Sequence, residues 1–128
     1  MLFRPKAISG PLQIILKLFT KANPRAQSGL IKAFVTNNPS YALLNAWSEL
    51  EFQVKKHTII SNKKSSSGQI IAACTASLSL SKSDQKRLKM ISQQRNGVAH
   101  ALGGRSPPTW SDVLYVLKIS KKYRKVNI

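Results

Sequence analysis

Apolar residues at helical spacing constrain this chain more than any other feature. Leu43, Trp47, Leu50 and Val54 recur at intervals of four, three and four. Side chains three and four apart share one face of an α-helix, whereas a strand would scatter them over both faces. Asn37-Asn38-Pro39 stands just ahead of the run. Asn38 can cap a helix, and Pro39 suits a first turn, where its missing N–H has no intrahelical partner to lose. The pattern predicts a long helix from about Tyr41 to His57, widened by Leu44, with Glu49 and Glu51 near its middle. Glu51 precedes Lys55 by four residues, a spacing for a surface ion pair worth a few tenths of a kcal/mol.

The same period recurs along the chain. Pro11 opens a segment in which Ile14, Ile15, Leu18 and Phe19 share a face, ending before Asn23-Pro24 because a residue preceding proline is driven out of the helical region. A shorter piece, about Ser28 to Val35, presents Leu30, Ile31 and Phe34. Residues 69–80 carry Ile70, Ile71, Cys74, Leu78 and Leu80; helix is expected, with a strand competing over 75–80, where leucines alternate with serines. Ser81 or Ser83 then caps a helix with Asp84 in its first turn and Leu88, Ile91 and Val98 inward. Gly103-Gly104-Arg105-Ser106-Pro107-Pro108 reads as a turn. Thr109-Trp110-Ser111-Asp112 is a capping box that opens a last helix, with Val113, Val116 and Leu117 inward and Trp110 and Leu114 on its flank. The fold class is all-α: a bundle of four to five helices over 37–128, preceded by a basic segment, 1–36, with short amphipathic helices.

Charge narrows the partners. The 128 residues hold 21 Lys or Arg against four acids, a net charge of +17. A surplus of this size suits a polyanion, either nucleic acid or an anionic membrane surface. Four acids, Glu49, Glu51, Asp84 and Asp112, are too few for a polycarboxylate site for Mg²⁺ or Ca²⁺. Cys74 is the only cysteine, so no internal disulfide and no cysteine cluster for zinc can form. It lies in an apolar run and reads as a small buried hydrophobe. No cofactor is expected, and a cytoplasmic setting is the default. Residues 12–19 are apolar but interrupted by Lys17 and too short to span a bilayer. A helix packed on the domain is the expected outcome there, with a surface-bound amphipathic helix or a transit peptide as its rivals.

The stretch with the most chemistry is Gln93-Gln94-Arg95-Asn96-Gly97-Val98-Ala99-His100. It brings a guanidinium, a carboxamide and an imidazole together near the end of a helix. Arginine holds phosphate by charge and paired hydrogen bonds, and histidine moves a proton near neutral pH. On a regular helix five residues turn through about 140°, so Arg95 and His100 do not share a face. Either the helix loosens at Gly97, or the two side chains serve one cleft from different protomers. Polyanion contacts are expected from Lys63 and Lys64 in the basic loop, Lys86 and Lys89 on the outer side of the motif helix, Arg105 in the turn, and Lys121, Lys122 and Arg124 near the chain end.

These pieces together resemble a HEPN domain over about residues 38–125. Arg95, the polar Asn96 and His100 fit that family's Arg-x(4–6)-His motif at its shortest gap, and Trp47 to Glu51 is similar to a helix found in many relatives. The resemblance implies an up-and-down helical bundle that forms a homodimer. It implies metal-independent endoribonuclease activity of the kind found in toxin–antitoxin, phage-defence and RNA-processing systems, where an antitoxin or other protein partner is common. Arg95 would bind and polarise the scissile phosphate, His100 would act as general acid or base, and Asn96 would orient one or the other. Glu51, with Glu49 in reserve, would support the motif. RNA brings its own nucleophile, the 2′-OH, so the products would carry a 2′,3′-cyclic phosphate and a 5′-hydroxyl. The competing classes are a non-catalytic basic helical module that binds RNA or a partner protein, and a membrane-surface protein held by residues 11–22.

Overall fold

The computed structural model describes residues 24–57, 66–100 (the backbone alone at 98–100) and 107–127. All regular structure among them is helical, in five helices. We number them α1 (Pro24–Val35), α2 (Pro39–His57), α3 (Ser67–Leu78), α4 (Lys82–His100) and α5 (Trp110–Val126). The helix expected from Pro11 lies outside the described residues. Helix α1 begins at Pro24 rather than near Ser28, because a proline is tolerated in the first turn, where no backbone N–H has an intrahelical acceptor.

Three residues close α1 and open α2. Asn37 takes a left-handed conformation, φ 52°. Its N–H reaches the Phe34 carbonyl at 3.0 Å, and the Asn38 N–H reaches the Ala33 carbonyl at 2.7 Å. This pair of bonds is a Schellman stop. The Asn38 side chain then accepts from the Tyr41 N–H at 3.0 Å, the cap that its position before Pro39 predicted. Elsewhere, Ser66 and Gln69 form a reciprocal capping box at α3, and Thr109 and Asp112 do so at α5. Ser81 caps α4, its hydroxyl accepting from the Asp84 N–H at 3.1 Å. The strand alternative over 75–80 does not form: Thr75 turns its hydroxyl onto the Ile71 carbonyl at 2.8 Å, and α3 continues to Leu78 before Ser79 adopts φ 52°.

Leu43, Trp47, Leu50 and Val54 are all buried, as their spacing predicts, together with Leu30, Ile70, Leu88, Ile91, Val113, Val116 and Leu117. Fully burying one such aliphatic side chain contributes about 1.5–3 kcal/mol. Helix α2 is the hub, touching each of the other four and packing most extensively on α5. The first residues of α5 lie beside the start of α2, since the Trp110 indole donates to Asn37 Oδ1 at 3.0 Å. Tyr123 lies beside its end, 6.4 Å from the His57 ring. Within the all-α bundle, α5 therefore runs with α2, where a strict up-and-down order would oppose them.

Helix α1 buries Ala26, Leu30 and Ala33 in the same core. Its close approach to α2 depends on Gly29, where an added Cβ would run into the Asn45 carboxamide. Asn45 is itself held by a 2.8 Å bond to the Tyr41 carbonyl. Gly29→Val should lower stability by about 1–3 kcal/mol through overpacking. Asn45→Ala in the same chain should restore most of that loss in thermal melts; a melting temperature unmoved by Gly29→Val would show that the contact does not matter.

Candidate nucleic-acid interface

Helix α4 carries the motif on one side and a basic face on the other. Lys82, Lys86 and Lys89 are exposed along it, as is Met90, while Leu88 and Ile91 turn inward. The helix is continuous through His100, so Gly97 does not loosen it. Arg95 and His100 accordingly keep their separation of about 140° around the axis.

An open groove of about 550 Å³ runs between α3 and α4. Ser67, Gly68 and Ile71 form the α3 wall; Lys86, Lys89, Ser92 and Asn96 form the α4 wall. None of the described residues lining it is a carboxylate. Ser67 and Gly68 belong to the first turn of α3, which adds the partial positive charge of a helix N-terminus to that of the lysines. Over the shoulder of α4, Lys86 and Lys89 also border a second depression of about 510 Å³ with Met90 and Arg87.

Arg95 points the other way. Its guanidinium carbon stands 5.9 Å from the centre of the Trp47 ring, within range of a cation–π contact. Its Nε is buried without a hydrogen-bond partner, as is the Trp47 indole nitrogen. Glu51 follows Trp47 by one turn of α2 and so shares its face, half-buried. Glu49 is turned away into the interior, where its carboxylate accepts from Gln53 Nε2 at 2.7 Å. The reserve residue is thus occupied in a buried hydrogen bond. The His100 side chain, Lys63, Lys64 and Arg105 lie outside the described residues. Lys121, Lys122 and Arg124 stand on the last turns of α5, and none of them lines the groove.

Sequence reasoning missed one cluster, at the junction of α4 and α5. The Tyr115 hydroxyl donates to Asp84 Oδ1 at 2.7 Å, and the Arg87 guanidinium lies 4.1 Å above the Tyr115 ring. Arg87 also reaches Ser111 at 3.3 Å and Asp112 at 4.0 Å. No spacing rule links positions 31 apart, so only a signal at the level of pairs of charges could have hinted at it. The Tyr115 and Ser81 hydroxyls hold the Asp84 carboxyl below the usual carboxylate range, assisted by the charges of Lys122 and Arg87. Burial, and then the bond to Asp84, raise the Tyr115 phenol. A carboxyl whose pKa falls on folding stabilises the fold above its unfolded value and ceases to do so as pH drops through the folded one. Asp84→Asn should therefore melt below wild type at pH 7, with the two curves converging below about pH 4. A difference that stayed constant from pH 7 to pH 2 would assign the effect to shape rather than charge.

Cys74 is fully buried, and burial pushes its thiol up to about 12, which suits packing and not nucleophilic attack. Among the described residues no group of His, Cys, Asp and Glu is arranged to hold a metal, and no helix is long and apolar enough to cross a membrane. Comparison of the chain with protein-family models, with curated proteins and with solved structures finds no match.

Proposed function

We propose that this chain is an RNA-binding helical domain of HEPN type, acting as a metal-independent endoribonuclease. The observation that carries the reading is the place of Asn96. Asn96, the polar residue of the motif, opens into the same groove as Lys86 and Lys89, so the motif meets the phosphate-attracting lysines through this residue, while Arg95 lies on the other side of α4. A strand of RNA lying there places its backbone within reach of the end of α4. Arg95, whose guanidinium lies beside the Trp47 ring, supplies positive charge where negative charge develops on the phosphorane. His100 moves the proton to or from the 2′-OH or the leaving 5′-oxygen.

Because α4 stays helical through Gly97, the active site on this reading draws Arg95 from one protomer and His100 from its partner. The alternative, a module that binds RNA and does not cut, rests on the same groove and differs only in the end of α4.

Purified protein incubated with RNA in EDTA should yield fragments with 2′,3′-cyclic phosphate and 5′-hydroxyl ends. RNA that stays intact while still being retained at low salt would remove the nuclease and leave the binding module. Binding itself should weaken steeply with salt, by a slope of about −0.7 per phosphate contacted on a single strand.

A further inference from the structure

From the shape and chemistry of the α3–α4 groove, we infer that it is a subsite for one unpaired nucleotide of single-stranded RNA, with adenine the preferred base. The inference rests on the proposed RNA-binding function and specifies what the groove holds. Ile71 is half-buried on the α3 wall, and with the aliphatic stems of Lys86 and Lys89 it gives an apolar face of the kind a base needs when it leaves the stack. Asn96 stands on the α4 wall. Its carboxamide presents a donor and an acceptor side by side, the complement of the N6 and N7 edge of adenine. Lys86 and Lys89, one turn apart on the exposed side of α4, line the same groove and offer their ammonium groups to the phosphates flanking that base. Ser67 and Gly68, in the first turn of α3, let the backbone come close to the wall there.

A duplex does not fit this arrangement. A-form RNA hides its base edges in a deep, narrow groove and offers mainly backbone and 2′-hydroxyls. Its bases cannot reach Ile71, so it gains only the charge of the lysines. The groove thus separates two kinds of contact: Lys86 and Lys89 for any phosphate backbone, Ile71 and Asn96 for an unpaired base.

The test is fluorescence anisotropy with labelled oligo(rA), oligo(rU) and a blunt RNA duplex of equal length, in EDTA with uncleavable 2′-O-methyl linkages. Wild type should bind oligo(rA) about tenfold more tightly than oligo(rU) or the duplex, the discrimination one well-formed carboxamide–adenine pair provides. Asn96→Ala should bring oligo(rA) to within about twofold of oligo(rU) and leave duplex binding unchanged. Lys86→Gln should weaken all three probes alike. Ile71→Asp should remove single-strand preference, with circular dichroism reporting whether the variant folds; Asn96→Ala carries the test if it does not. Duplex bound as tightly as oligo(rA) by wild type, or oligo(rA) preference untouched by Asn96→Ala, would overturn the nucleotide subsite and leave RNA binding standing. No binding of any probe at low salt would overturn both.

Discussion

His100→Ala should slow RNA cleavage by roughly 10²–10⁴-fold, the range a positioned general acid or base contributes. RNA affinity should stay within about threefold of wild type, because on the proposed reading attraction to the backbone rests on Lys86 and Lys89, which line the groove. Arg95→Ala should also lose cleavage, through missing charge at the phosphorane. The two losses should not multiply in the double variant, since residues that act as one unit cannot be lost twice. The geometry of α4 adds a sharper consequence. Arg95 and His100 sit about 140° apart on an unbroken helix, so a composite site takes one from each protomer. Equal mixing and reassociation of the two inactive single variants should then regain roughly a quarter of wild-type activity, because half of the dimers are mixed and one of their two sites is intact. Recovery near zero would place both residues in one protomer. An unchanged rate for His100→Ala would remove the acid–base assignment altogether.

Trp47→Ala should be the most destabilising single substitution in α2, at about 3–5 kcal/mol. Trp47 is 1% exposed at the centre of the core, on the seam with Leu43, Leu50 and Val54. Removing it leaves a cavity where α2 meets the motif helix, and it strips the surface against which the Arg95 guanidinium rests. The melting temperature should fall by roughly 10–20 °C for a domain of this size. Trp47→Phe keeps a ring beneath Arg95 and should cost distinctly less. Comparing the two by thermal melt and by cleavage rate separates packing from positioning. A Trp47→Ala protein that melts like wild type would show that the side chain is not a core residue.

Much of the fold was legible in local chemistry. Helix starts at Asn38, Ser81 and Thr109 follow from side-chain oxygens that satisfy orphan N–H groups a few residues on, and such bonds need nothing beyond their own segment. The inward residues of α2, α4 and α5 follow from the period of the helix. The sequence also marks Arg95, Asn96 and His100 as neighbours, because five residues of helix cannot separate them far.

The relations between helices are set by long-range packing instead. The parallel course of α2 and α5 is seen in Trp110 reaching Asn37 and Tyr123 lying near His57, contacts between residues 73 and 66 positions apart. The seating of Arg95 on Trp47, and the groove that joins Asn96 to Lys86, Lys89 and Ile71, arise from packing α4 against α2 and α3. A helical period states which side of a helix is apolar; it is silent on which neighbour covers that side. That choice is made by shape and by the summed burial of all five helices at once, and it is this choice that divides α4 into a side bearing Arg95 and a side bearing the lysines.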